Sequence, residues 1–239
     1  MLDELKREVC KANILLVKYR LVILSFGNVS GIDRKRGLVV IKPSGVSFQK
    51  LTPEKMVIVD LQGKVVEGKL KPSMDTPTHL ALYRAWPEIR GICHTHSPYA
   101  TSFAQAGKAI PCLGTTHADH FYGEIPITRY LSKKEVKIEY EKNTGKVIVE
   151  HFSRTRPINM PAVLVARHGP FTWGSDPEDA VANSLVLEEI AKMAFTTILL
   201  NPKTAEIQNY LLDQHFLRKH GPRARYGQKT DAALKGGKE

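Results

Sequence analysis

Gly91-Ile92-Cys93-His94-Thr95-His96 ends an apolar run on two histidines separated by a single residue. An extended strand turns successive side chains to opposite faces, so His94 and His96 project the same way, about 7 Å apart along the chain. Two imidazoles presented like this at a strand end can share one divalent metal ion. The same alternation sends Cys93 to the other face, where it reads as a packed thiol and not a ligand. Two polar histidines at the start of a loop are the plainer alternative, so further donors have to be found.

Two other segments supply them. Asp75 stands in Pro72-Ser73-Met74-Asp75-Thr76-Pro77-Thr78-His79, just ahead of a helical pattern. His168 follows a second apolar run, Ala162-Val163-Leu164-Val165-Ala166-Arg167-His168. Three imidazoles and one carboxylate suit zinc, manganese or a similar ion, with room for substrate oxygens in a catalytic site. No spacing rule links the segments, so their number and order carry the argument.

Composition narrows the class. The chain has 239 residues, 42% of them apolar and 25% charged, as in an ordinary globular domain. No apolar stretch is long enough to span a membrane, and the first residues lack a signal-peptide core, so a cytoplasmic location is expected. Cys10, Cys93 and Cys112 are too few for a disulfide framework. The net charge of +11 favours an anionic partner. Lys and Arg are spread along the chain without a nucleic-acid-binding motif, so a phosphorylated small molecule is expected, and neither nucleic acid nor membrane.

Helical and strand patterns alternate from end to end. Leu2 to Lys18 reads as an amphipathic helix, Ser25 to Gly31 as a polar loop, and Gly37 to Lys42 as a strand. Met56–Leu61 and Lys64–Val66 form a hairpin, and a helix opens near Thr76 with Pro77 in its first turn. Ser97–Gln105 is a short helix, and Ser132-Lys133-Lys134-Glu135 is a capping box. Val163–Ala166 is a buried strand. Long helices follow from Asp176 to about Leu199 and from about Ala205 to Lys219. The reading is one α/β domain over residues 1–228, with a disordered tail at 229–239.

The loops look built for an anion. Gly27-Asn28 offers backbone freedom and an amide, and Lys42-Pro43-Ser44-Gly45 offers a cation, a hydroxyl and an unhindered N–H. Ser73 precedes a helix N-terminus, where free N–H groups favour phosphate. Gly114-Thr115-Thr116-His117-Ala118-Asp119-His120 is a further polar cluster, whose histidines are rival ligands without a strand to present them.

With these pieces in order, the chain resembles the L-ribulose-5-phosphate 4-epimerases of the class II aldolase and epimerase superfamily over roughly Met1 to Gln228. The likeness rests on Gly27-Asn28-Val29-Ser30, Lys42-Pro43-Ser44-Gly45, Asp75-Thr76-Pro77-Thr78-His79 and His94-Thr95-His96-Ser97. It continues through Gly114-Thr115-Thr116-His117-Ala118-Asp119, His168-Gly169-Pro170 and Leu217-Arg218-Lys219-His220-Gly221. The resemblance implies a three-layer αβα fold around a mixed, largely antiparallel sheet. It implies a homotetramer with each site at a subunit boundary, and one divalent ion per subunit, zinc first and manganese second. By position, Asp75, His94, His96 and His168 match the metal residues, and Asn28, Lys42, Ser44, Gly45 and Ser73 match the phosphate pocket. Asp119 and Tyr226 match the acid/base residues, supported by Thr115, Glu141, His215 and Arg218. Met74 departs from the pattern, because it stands where these epimerases usually carry a second serine, and a thioether donates no hydrogen bond.

The chemistry implied follows from the substrate. Carbon 4 of L-ribulose 5-phosphate is not adjacent to the ketone, so its hydrogen is not acidic. Reversible cleavage of C3–C4 avoids that difficulty, since re-addition to the opposite aldehyde face gives D-xylulose 5-phosphate. A Lewis acid stabilises the charge left on the three-carbon fragment. Two proton carriers are needed, one for each face. The nearest rival, an aldolase of the L-fuculose 1-phosphate type, would carry a catalytic glutamate where this chain has Asp75. An inactive metal-binding regulatory protein is the rival from another class.

Overall fold

The structure is a computed structural model and describes residues 2–154, 156–221 and 224. Helix α1 (Asp3–Lys18) leads into β1 (Asn28–Asp33), β2 (Leu38–Ile41), β3 (Val57–Asp60) and β4 (Val65–Glu67). Helix α2 (Thr76–Ala85), β5 (Gly91–His94), α3 (Pro98–Ala106) and α4 (Thr115–Ala118) come next. The chain continues through α5 (Lys133–Lys137), α6 (Tyr140–His151), β6 (Ala162–Leu164), β7 (Pro170–Gly174), α7 (Pro177–Leu200) and α8 (Asn209–His220).

The seven strands form one sheet in the order β4-β3-β2-β1-β5-β7-β6. Each of its ladders is antiparallel, and the parallel pairing recorded among the described residues is the isolated bridge between Ile127 and Leu164. Both faces are apolar, because side chains alternate along every central strand. Val39, Val57, Val59 and Ile92 pack with Leu80 and Tyr83 of α2. Val29 and Cys93 turn the other way, toward Ala12 and Leu16 of α1 and Val181 of α7, and Val40 and Ile58 join Val9 on the same side. The result is the expected three-layer αβα arrangement around a central sheet. Truncating a fully buried strand residue such as Ile92 to Ala would cost about 2–5 kcal/mol.

Local signals set the helix ends. Asp176 caps α7 by accepting from Asp179 N at 2.8 Å, with Pro177 in the first turn, and the Ser132–Glu135 capping box closes around the start of α5. Arg34 donates to the carbonyls of Tyr83, Trp86 and Ile89, so a cation of β1's outgoing turn satisfies the C-terminal end of α2. Three expectations change. Residues from Asn28 onward, read as loop, form a buried central strand, because Ser30 and Gly31 pair on both edges. The strand leading to His96 stops at His94, and α8 begins at Asn209 and not near Ala205. The 229–239 tail lies outside the described residues.

Candidate active site

The sheet delivers the histidines to one point. His94 is the last residue of β5, opposite Asn28 on β1 and Phe171 on β7. His96 lies beyond the strand, yet its Nε2 is 3.1 Å from Nε2 of His94. His168 sits on the tight β6–β7 turn, entered through Arg167 at φ 63° and closed by Val165 N donating to Gly169 O at 2.9 Å. Its ring centroid is 4.7 Å from that of His94 and 5.1 Å from that of His96. The three donor atoms lie within 4.8 Å of one another, a cluster with metal-ligand spacing.

Electrostatics suit the same use. Burial, reinforced by the neighbouring His94, depresses His96 to about 4; burial with His94 and His96 depresses His168 to about 3. Both rings are therefore neutral near pH 7, the form that binds metal. His94 is stacked on Phe171 at 4.1 Å, and its Nδ1 lies 2.9 Å from the carbonyl of Pro170. A carbonyl only accepts, so Nδ1 donates to it and Nε2 is the nitrogen turned toward the triangle. The donor set fits a divalent ion such as zinc.

Asp75, the expected fourth ligand, occupies the N-cap position of α2 but makes no cap bond, and it stands outside the three-histidine triangle. Its Oδ2 accepts from Asn28 Nδ2 at 2.6 Å. Burial pushes this carboxyl up, but His94, His79, the Asn28 amide and His168 together hold it below the usual range. Asn28 is thus engaged with Asp75, and its Oδ1 is buried without a partner among the described residues. Asn13 anchors this strand to α1, donating to the carbonyls of Val9 and Val29 and accepting from Val29 N. Gly27 precedes it at φ 82°, where a Cβ would come within 2.8 Å of the His94 carbonyl, so no larger residue fits.

The expected phosphate segments also meet. Ser44 N donates to Lys71 O and Ser73 N to Lys42 O, which stitches the two loops together. Those two N–H groups are consequently already used, and the Ser73 hydroxyl accepts from Asp75 N at 3.3 Å. The amides of Gly45 and Met74 have no protein acceptor among the described residues. Lys42 is buried, with two long carbonyl contacts of 3.4 Å and no carboxylate in ion-pair range among the described residues. Burial lowers its pKa, opposed by Asp75. Ser44, Ser73, Glu141 and the exposed Met74 line a cleft of about 920 Å³ beside α2.

A second constellation forms on α4 and α8. Asp119, one turn after Thr115, takes bonds from Arg218 on both oxygens at 2.9 Å and from His215 Nδ1 at 3.0 Å, with Lys219 Nζ at 3.6 Å. Burial raises its pKa, while Arg218, His215 and Lys219 more than offset that, so Asp119 is held ionised. Tyr226 lies outside the described residues. The rival His117 is spent on Gly123 O at 2.8 Å.

Residues 7–195 match the model of the family described as Class II Aldolase and Adducin N-terminal domain. The chain belongs to that family. Solved structures agree in fold. An L-fuculose 1-phosphate aldolase aligns at 24% identity with a TM-score of 0.75, over 89% of this chain and 94% of its own. The L-fuculose 1-phosphate aldolase of Glaciozyma antarctica PI12 aligns at 21% identity and TM-score 0.75, over 93% and 84% respectively. YgbL of Klebsiella pneumoniae, whose assignment is left open between aldolase, epimerase and decarboxylase, aligns at 25% and 0.71, over 90% and 99%. No helix among the described residues of this family member is long and apolar enough to cross a membrane.

Sequence reasoning missed α6 altogether, and with it Tyr140, whose hydroxyl lies 3.2 Å from His168 Nδ1. Its start lacks a capping side chain, and the interior Gly145 weakens the helical signal. Glu188 was missed for a different reason. It lies mid-helix on α7 and accepts from Tyr99 N and Ala100 N at 2.9 Å, which anchors α3 directly after the histidine segment.

Proposed function

We propose that this protein is a metal-dependent sugar-phosphate 4-epimerase that interconverts L-ribulose 5-phosphate and D-xylulose 5-phosphate by reversible C3–C4 cleavage. The observation that carries the reading is Asp75: a short carboxylate, ionised beside the histidines and pinned by Asn28 at 2.6 Å. Such a group is suited to help hold the ion with His94, His96 and His168, which leaves proton transfer to residues elsewhere. When bound, zinc (or manganese) supplies Lewis acidity for the charge that develops on the three-carbon fragment.

Lys42, buried with no carboxylate in ion-pair range among the described residues, is suited to bind the phosphate together with Ser44, Gly45, Ser73 and the Met74 amide. Phosphate binding retains glycolaldehyde phosphate while its aldehyde rotates. Asp119 then takes or returns the C4 hydroxyl proton on one face and Tyr226 on the other, with Thr115 and Glu141 supporting the site. Arg218 keeps Asp119 charged, and His215 gives it a route for the proton. The aldehyde face is completed in a homotetramer with sites at subunit boundaries; the exposed Leu24 and Phe26, the latter 6.2 Å from the His96 ring, support this. A cytoplasmic setting suits the three free cysteines.

The test is incubation of the zinc-loaded protein with L-ribulose 5-phosphate. The expected result is xylulose 5-phosphate with little free glycolaldehyde phosphate. Net aldehyde release, with faster turnover of L-fuculose 1-phosphate, would favour the aldolase reading that the structural neighbours raise.

A further inference from the structure

We infer that Tyr140 is a positioning residue of the metal centre, its hydroxyl accepting the Nδ1 proton of His168 and so turning that ring's Nε2 lone pair toward the ion. A metal-binding imidazole almost always donates its other N–H to an acceptor, which fixes the tautomer and the ring's orientation. His94 has the Pro170 carbonyl for that purpose. Among the described residues His168 has no backbone carbonyl on Nδ1; the partner there is Tyr140 Oη at 3.2 Å. Nδ1 is therefore occupied by the phenol, and Nε2 is the atom left for the triangle. The two rings are tilted at 33° with centroids 6.0 Å apart, so the phenol stands beside the imidazole as well as on its Nδ1.

The fold holds Tyr140 firmly. It opens α6 immediately after Glu139, whose φ of 53° makes a left-handed corner, and Asn143 fixes that corner by donating to the carbonyls of Glu135 and Ile138. Thr144 donates to the Tyr140 carbonyl at 3.0 Å, and Thr78 of α2 to the Glu141 carbonyl at 2.6 Å. Gly145 lets the helices approach so closely that a Cβ there would meet the Ala81 Cβ at 2.6 Å. One tightly packed helix pair thus carries both Asp75, at the start of α2, and Tyr140, at the start of α6. No ligand of the triangle other than His168 has a side-chain hydroxyl behind it among the described residues.

The inference rests on the metal reading and not on which sugar is turned over. Tyr140→Phe keeps the ring and removes the acceptor. Zinc affinity by chelator competition should weaken about tenfold to a hundredfold. The visible bands of the cobalt-substituted protein should shift, while thermal unfolding of the metal-free protein stays near wild type. Unchanged zinc affinity and cobalt bands in Tyr140→Phe would overturn the role of Tyr140 and leave the three histidines as ligands. Equal zinc affinity in wild type and His168→Ala would overturn both.

Discussion

The two polar constellations of this molecule are built on opposite electrostatic terms. The histidine triangle is assembled at strand ends, and burial keeps His96 and His168 neutral at about 4 and 3. The Asp119 group lies between two helices, and there opposite charges from Arg218 and Lys219 overcome burial and keep the carboxylate ionised. A metal competes with protons, so a ligand set profits from rings that have already lost theirs. In the proposed reaction Asp119 carries a proton, and His215, 3.0 Å from it, is the partner to pass it to. The same cost, desolvation, is left uncompensated in the first region and offset in the second.

The comparison breaks most completely if the triangle is removed. His94→Ala, His96→Ala and His168→Ala should each lose metal and turnover in parallel, toward background activity; full occupancy of His96→Ala by elemental analysis would take His96 out of the set. Asp119→Asn should do the reverse and lose ~10²-fold or more in turnover with metal content unchanged. Tyr226→Phe should behave alike, and any residual condensation of dihydroxyacetone with glycolaldehyde phosphate should be biased to the face the surviving residue serves. Near-normal epimerisation in either variant would move the proton-carrier role to His215 or Glu141.

Acid should separate the two regions in order. A histidine whose folded pKa is depressed contributes stability that is complete above its unfolded value near 6.5 and is lost as pH falls through the window below it. His79, wholly buried behind the triangle with Nδ1 on Ser30 Oγ at 2.7 Å, sits at about 3. Between pH 7 and 5 it should cost the metal-free protein about 2 kcal/mol, roughly thirtyfold in the unfolding constant. Urea unfolding of His79→Gln should show a pH slope flatter by that amount; an equal slope would mean that His79 is not the group titrating. Asp119, whose pKa is lowered, should contribute only below about 4, after the buried histidines have begun to cost stability below 6.5.

The smallest effect is expected at the mouth of the cleft. Met74→Ser should lower KM by up to about tenfold if the hydroxyl restores one hydrogen bond to the charged group. An unchanged KM would mean that the Met74 amide already serves the anion and that the exposed thioether is indifferent.

Much of the triangle was legible in the chain because its cause is local. A strand alternates its side chains, so His94 and Cys93 part company whatever surrounds them, and Cys93 does pack against α7, accepting from Ser184 Oγ at 3.3 Å. Composition and element order were equally legible, since hydrophobic periodicity is written residue by residue. The central strand at Asn28 was not: Gly27, Asn28, Ser30 and Gly31 have little intrinsic preference for β structure, and pairing on both edges overrides it. The sequence by itself determined which residue types could bind metal, phosphate and protons, and that two apolar runs end on histidine. Only the tertiary structure decided that the β6–β7 turn brings His168 within 4.8 Å of the others, that Ser73 spends its amide on Lys42, and that an unforeseen helix sets Tyr140 behind His168. Contacts across 28 to 76 residues depend on the packing of whole layers, and no local pattern encodes that.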